Sequence, residues 1–235
     1  MPAASLADVQ TGLLASRLAD ISYASSPGAL HEQLTHELSE CMLSLLWFSR
    51  QPSEHEREQD EAASTHLPQW FLARGQLPPW LQRPGERAEG FFLVFRGTSS
   101  TSDITRDLLV RPTAHGAAQF HGGFLSGVRD DAALHEQLRD HLGASSLPLY
   151  LIGHSLGGSL ALTLLAADIL PPSYRGAVTC VALGSPAILY GDPPAGSLGR
   201  AEMARASAGI EPEACVSWIR AGGLEMDHFV TSLPR

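Results

Sequence analysis

Residues 149–158 read Leu-Tyr-Leu-Ile-Gly-His-Ser-Leu-Gly-Gly, and the fold is decided by how this stretch is read. The short apolar run Leu149, Tyr150, Leu151 and Ile152 has the length and composition of a buried strand, while residues 160–170 read as a helix. Ser155 therefore falls on the turn between them, which is where a nucleophile elbow places its serine. Such a turn is strained and needs small neighbours on both sides, here Gly153 and Gly157. The helix that begins after Ser155 directs its first amides and its positive dipole end towards any oxyanion formed there. A bare G-x-S-x-G recurs by chance. Between a strand and a helix it is specific, and the bland alternative is a packed turn with no chemistry.

The rest of the chain bounds what this turn serves. A length of 235 residues suits one domain with a sizeable core, and 44% hydrophobic with 17% charged residues suits a soluble globular protein. The expectation is a single domain over residues 1–235, with helices in residues 1–50 and a catalytic core over 91–235. Acids outnumber Lys and Arg by 25 to 16, a net charge of -9, which speaks against a nucleic-acid partner and against charge-driven docking on an anionic membrane. Cys41, Cys180 and Cys215 are an odd set without C-x-x-C spacing, so neither a disulfide framework nor a zinc site is indicated. No signal peptide is evident, and the apolar run 41–48 is too short to span a bilayer. These features together predict a cytoplasmic protein without a transmembrane segment.

Apolar residues recur at helical spacing in two places: Leu6, Val9, Leu13, Leu14, Leu18 and Ile21, then Leu30, Leu34, Leu38, Met42 and Leu45. They predict two amphipathic helices joined at 25–28, with Ser26-Pro27 as a helix start. Residues 51–63 are polar and read as a solvated segment. Next come two similar pieces, Leu-Pro-Gln-Trp-Phe-Leu from Leu67 and Leu-Pro-Pro-Trp-Leu from Leu77. Trp47, Trp70 and Trp80 are open to two readings, contact with a lipid surface or packing on the core. After Gly90 the pattern turns regular, with strands at 91–95, 147–152, 178–183 and 215–219 and helices at 124–142, 156–170 and 200–208. This alternation predicts an α/β protein with a mainly parallel central sheet and helices on both faces. The site of such a sheet lies beyond the carboxyl ends of its strands.

The loop after 91–95 begins Arg96-Gly97-Thr98-Ser99-Ser100. A Gly-Thr pair just past a strand presents a backbone N–H and a hydroxyl, so Thr98 and the amide of Leu156 form a two-donor oxyanion hole. His121, in His-Gly-Gly-Phe, precedes the serine and reads as structural, paired with Asp107 or a backbone carbonyl. His154 sits inside the elbow and is badly placed to serve its own neighbour. No cofactor is called for, because acyl-enzyme chemistry is carried by side chains, and no ligand cluster suggests a metal.

Phe-Arg-Gly-Thr-Ser-Ser, Asp-Ile-Thr-Arg-Asp-Leu, His-Gly-Gly-Phe, Gly-His-Ser-Leu-Gly-Gly and Gly-Ser-Pro-Ala, in this order over residues 91–234, resemble the class 3 lipase family, which includes fungal triacylglycerol and diacylglycerol lipases. The resemblance implies an α/β-hydrolase fold, Ser155 as nucleophile, Thr98 and Leu156 as the oxyanion hole, and hydrolysis of carboxylic esters of acylglycerols or related lipids. It also implies an aspartate after the strand that follows Gly-Ser-Pro. Asp227, in Met-Asp-His-Phe-Val-Thr-Ser-Leu-Pro, is assigned to that role, with Asp192 as runner-up. The family's histidine belongs several dozen residues further on, whereas the sequence reaches Arg235. Three readings stay open: a histidine on a further C-terminal segment, His228 in its place, or a lipase-like protein that binds lipid or regulates without turnover. Fungal lipases of this type carry an apolar lid after the oxyanion residue. Here 99–106 is polar apart from Ile104, so a lid near 70–81 or a less aggregated substrate is expected instead.

Overall fold

A computed structural model describes residues 6–49, 69–82, 87–97, 112–116, 118–186, 188, 216–221 and 226–233. Two helices open the chain, α1 (Leu6–Ile21) and α2 (Pro27–Glu37). Ser26 caps α2, its hydroxyl accepting from the Ala29 amide at 3.2 Å with Pro27 in the first turn, as the Ser-Pro pair suggests. The helix then stops short of its expected end. Leu38 leaves helical geometry, a 3-10 turn spans Ser39–Cys41, and Met42 takes φ 43°. Leu45 consequently belongs to a strand, β1 (Ser44–Phe48), because the apolar spacing of 38–45 continues from a helix into a strand without a break in composition.

A seven-stranded sheet is built from β1, β2 (Trp70–Gln76), β3 (Glu89–Phe95), β6 (Leu149–His154), β7 (Val178–Leu183), β8 (Val216–Ala221) and β9 (Met226–Leu233), in the order β1-β2-β3-β6-β7-β9-β8. Between β3 and β6 lie a separate hairpin, β4 (Pro112–His115) with β5 (Ala118–His121), and two helices, α3 (Gly122–Arg129) and α4 (Ala132–Leu142). A third helix of this half, α5 (Leu156–Ala166), joins β6 to β7. The fold is α/β, but the sheet is mixed rather than mainly parallel. Only β3, β6 and β7 run parallel, and the pairs β1/β2, β2/β3, β7/β9 and β8/β9 are antiparallel. The periodicity of apolar residues identifies strands but carries no direction, so the antiparallel margins are hidden from it.

Side chains of the central strands alternate between two cores, as the period of a strand requires. Phe92, Val94, Tyr150 and Ile152 face α1 and α2, where Leu18, Leu30 and Leu34 are fully buried. Phe91, Leu93, Phe95, Leu149 and Leu151 face the opposite layer with Leu134, Leu138, Leu160 and Leu164. Covering both faces makes the continuous apolar run 149–152 a strand, since each such side chain contributes about 1.5–3 kcal/mol when buried.

Two further expectations need revision. The helix expected over 124–142 is broken in two by Asp130 and Asp131. The Asp131 carboxylate caps α4 by accepting from the Leu134 amide at 2.9 Å, and it also accepts from the Trp70 indole at 2.8 Å. Trp70 is thereby a core residue, 1% exposed, while Trp47 and Trp80 stay partly exposed. Of the lid candidate 70–81, residues 70–76 form β2 and residues 77–81 lie at the other end of the sheet from Ser155. Because β2 is antiparallel to β3, Gln76 pairs with Glu89 at the start of β3, and Leu81 accepts from the Tyr150 hydroxyl near the start of β6. Among the described residues no helix is long and apolar enough to cross a membrane.

Candidate active site

Strands β3, β6 and β7 all finish at the same end of the sheet, at Phe95, His154 and Leu183. Ser155 follows β6 directly, with φ 53° and ψ -124°, and Leu156 begins α5. Positive φ in a residue with a side chain is costly, about 1–3 kcal/mol, and persists only where the surroundings enforce it. Here the Ser155 amide donates to the Leu183 carbonyl at 2.7 Å, and its carbonyl accepts from the Gly158 and Ser159 amides at 3.0 and 3.2 Å. His154, Ser155 and Leu156 are half-buried between a buried strand and a buried helix, so the apex of the turn is the part that meets the outside.

Glycine is required around the apex for steric reasons that the structure makes explicit. A Cβ on Gly153 would fall on the backbone of Gly157, and one on Gly157 would fall on the carbonyl of Phe95. The same residue pair that reads as small neighbours in the sequence is thus the place where β6, α5 and β3 pack backbone to backbone. At Gly158 the space is filled instead by a side chain, the Ser185 hydroxyl. Ser159, which no motif singles out, is fully buried and donates to the Pro186 carbonyl at 2.8 Å, tying α5 to the Gly184-Ser185-Pro186 segment after β7.

Next to the elbow is the end of β3. Gly97 is pressed between two groups: a Cβ there would lie 2.5 Å from the His154 carbonyl and 2.6 Å from the Tyr23 hydroxyl. Thr98 lies outside the described residues, as do Asp107 and Asp192. Leu156, the other expected oxyanion donor, occupies the first turn of α5, where backbone N–H groups have no acceptor within the helix. The Asp227 backbone pairs with Arg220 in the β8/β9 hairpin, and that of His228 pairs with Ile219. Since Phe229 pairs antiparallel with Ala182, the chain at 226–228 runs past the carboxyl end of β7, the end at which β6 gives way to Ser155.

His121 ends β5 and precedes α3, its ring stacked on Phe124 with centroids 4.0 Å apart and its amide donating to the Ile188 carbonyl at 2.8 Å. At 3% exposure it is part of the packing beneath the segment that leaves β7. Cys41 and Cys180 are both free and buried, and burial pushes their thiols up to about 11 and about 12. No group of three His, Cys, Asp or Glu side chains gathers among the described residues in a way that would hold a metal.

Residues missed by the sequence reading come from outside the elbow. Tyr23, at the end of α1, places its ring 5.0 Å from the Arg96 guanidinium, and Gln69, just before β2, accepts from Arg96 through its side chain. Tyr23 belongs to no motif or period, and Gln69 stands in the Leu-Pro-Gln-Trp-Phe-Leu piece without anything local that marks it as a partner of Arg96.

Comparison with known proteins fits this geometry. Residues 92–204 match the family model for lipase (class 3). Curated protein sequences give no match. Solved structures similar to this one include the native Rhizomucor miehei lipase propeptide complex, at TM-score 0.59 and 18% identity over 98% of this chain and 73% of that one. Rhizomucor miehei triacylglyceride lipase aligns at TM-score 0.55 and 21% identity, covering 89% of this chain and 71% of that one. A deletion mutant of the propeptide complex aligns at TM-score 0.53 and 19% identity, over 89% of this chain, which spans 59% of that protein's length. At these identities the likeness is one of fold. The match to 92–204 covers the elbow, the end of β3 and the Gly-Ser-Pro segment, so this stretch is similar to the class 3 lipases, within an α/β fold shared with fungal lipases.

Proposed function

We propose that the protein is a serine hydrolase of carboxylic esters in acylglycerols or related lipids, with Ser155 as the nucleophile. The observation that carries this reading is the backbone of Ser155, held at φ 53° on a half-buried apex between β6 and α5, where a serine without a chemical role would only cost stability. In the reaction the Ser155 hydroxyl oxygen attacks the acyl carbonyl carbon while an imidazole takes its proton. The amides of Thr98 and Leu156 receive the negative charge that develops on the carbonyl oxygen. Collapse of the tetrahedral intermediate expels the alcohol, which leaves with that proton, and water then hydrolyses the acyl-serine to the free acid. Asp227 is assigned to orient the imidazole, supported by the position of its backbone beyond the end of β7. His228 is the imidazole this sequence offers after the serine, and the mechanism requires it or another histidine within hydrogen-bond reach of Ser155. The buried free thiols Cys41 and Cys180 are consistent with a reducing, cytoplasmic setting.

Labelling the purified chain with a fluorophosphonate tests the reading. Covalent labelling that disappears in Ser155→Ala is expected, with p-nitrophenyl esters of increasing chain length then defining the acyl preference. An intact fold whose Ser155 stays unlabelled would sink the enzyme and leave a lipase-like protein that binds acyl lipid without turnover. Asp227→Asn is expected to slow labelling by orders of magnitude, on the order of 10⁴-fold where the acid of a protease triad is replaced. Asp192→Asn should leave the rate unchanged.

A further inference from the structure

We propose that Arg96 binds phosphate beside the nucleophile, and that the lipid taken by this site is a glycerophospholipid, whose phosphodiester lies a few bonds from its acyl ester. This assignment rests on the hydrolase reading above and names a substrate class within it. The starting point is a charge without a counterion. Arg96 follows β3 directly and is half-buried, and Phe95 before it pairs with Gly153 of β6. Arg96 is therefore level with His154 on neighbouring strands about 4.8 Å apart, one residue short of Ser155. Among the described residues Arg17 pairs with Glu40, Arg74 with Glu89 and Arg129 with Asp130, whereas no carboxylate comes within ion-pair distance of Arg96. Its partners are neutral. Nη1 donates to the Gln69 side-chain oxygen, and the guanidinium carbon lies 5.0 Å from the centre of the Tyr23 ring. Asp20, in the last turn of α1, is exposed and forms no pair with it.

A half-buried guanidinium without an acid is costly, because it gives up water and gains no opposite charge. Held by neutral groups, it is set for an anion that comes from outside. The hold is firm: Gln69 is buried, its side-chain amide donates to the Ala24 carbonyl at 3.4 Å, and its backbone carbonyl accepts from the Arg96 amide at 2.8 Å. With Nη1 engaged and a ring against it, the guanidinium keeps further N–H groups, and its planar fork matches two phosphate oxygens at once. The two sides of the elbow differ in the same sense. Strand alternation turns Phe95 towards the core with α3, α4 and α5 and turns Arg96 towards the end of α1, where Tyr23 meets it. On the Phe95 side Leu156 and Ile188 are half-buried apolar residues. A lipid with its ester at Ser155 can lay its acyl chain towards Leu156 and Ile188 and its phosphate on Arg96. A neutral acylglycerol would leave the cation unpaired.

The test measures binding by calorimetry to the full chain carrying Ser155→Ala, which cannot form an acyl-enzyme. The probes are monomeric dihexanoyl phosphatidylcholine, dihexanoylglycerol and inorganic phosphate. Adding Arg96→Gln, which keeps a polar group for Gln69 and removes the charge, is expected to weaken phosphatidylcholine binding by about ten- to a hundredfold and diacylglycerol binding far less. Arg96→Lys, which keeps the charge and loses the fork, should fall between. With Arg96 in place, added salt should weaken the phospholipid more than the diacylglycerol, a comparison that holds even if Arg96→Gln does not fold. Equal losses for the two lipids in Arg96→Gln, or an equal response to salt, would overturn the proposal and make Arg96 a packing residue. Inorganic phosphate bound as tightly as the phospholipid would overturn it too, by showing an anion site that does not read a lipid. Binding is read without the serine hydroxyl, so a wild-type chain that takes no fluorophosphonate removes the hydrolase alone, and these affinities still decide whether Arg96 holds a lipid phosphate.

Discussion

The elbow and the end of β3 meet at one site, yet they are held by different means. At the elbow, Gly153 and Gly157 bring three backbone segments, β6, α5 and β3, so close that a single added carbon has nowhere to go. At the end of β3, Arg96 is held by side chains from residues 23 and 69, through a ring contact and a hydrogen bond. Steric exclusion is rigid and all-or-none, because protein interiors are close-packed and backbone does not yield as a side chain does. A clamp of side chains is adjustable and fails by degrees. The first kind suits a nucleophile whose direction must not vary, the second a donor whose position is tuned.

The comparison is most sharply broken at Gly157. In an ordinary helix, replacing glycine by alanine stabilises by about 0.5–1 kcal/mol. Gly157 lies in α5, but its Cβ would overlap the Phe95 carbonyl, so Gly157→Ala is expected to destabilise by about 3 kcal/mol in urea unfolding. Gly28 in α2 supplies the control, since a Cβ there meets nothing nearer than the Ser26 hydroxyl at 3.9 Å. Gly28→Ala should stabilise. Equal effects at the two positions would mean that β3 and α5 are not in backbone contact.

At the clamp a smaller loss is expected. Gln69 is 6% exposed and serves Arg96 and Ala24 at once. Gln69→Leu, of similar volume, removes both interactions and should cost about 2 kcal/mol, a value set by the buried partners it leaves behind. The same variant should also speed hydrogen exchange at the Gly97 amide, because Arg96 is its intermediary. A loss of stability with unchanged Gly97 exchange would separate Gln69 from the clamp and leave Tyr23 to act alone.

This difference in construction also explains what the sequence discloses. The elbow is legible because its parts are consecutive: an apolar run, a serine between glycines two residues away, and a helix. Ser26-Pro27 is legible for the same reason, the cap and its amide being three residues apart. The strand β2 is not, since Trp-Phe-Leu-Ala-Arg-Gly-Gln has no alternation, and its Gly75 is explained only by the Cys41 carbonyl that presses on it from another part of the chain. Asp131 reads as an ordinary surface acid until the Trp70 indole, 61 residues away, is found donating to it. Tyr23 and Gln69 are further cases. Their roles are pairwise and distant, and no local composition records them.

The elbow's strain offers the smallest and most discriminating effect. Ser155→Ala removes the hydroxyl and keeps the Cβ, so the backbone at φ 53° stays as costly as before and stability should be nearly unchanged. Ser155→Gly removes both. Glycine occupies positive φ without penalty, which should recover part of the roughly 1–3 kcal/mol, while the greater freedom of the unfolded chain returns up to about 1 kcal/mol of it. The net expectation is that Ser155→Gly is about 1 kcal/mol more stable than Ser155→Ala, with neither variant taking the fluorophosphonate. Two variants equally devoid of reactivity but unequal in stability would show that the turn is held at a cost to the fold, and the cost is incurred for the sake of where the hydroxyl points. If their stabilities coincide, the backbone at 155 is relaxed, and the direction of the side chain must be maintained by the glycine packing alone.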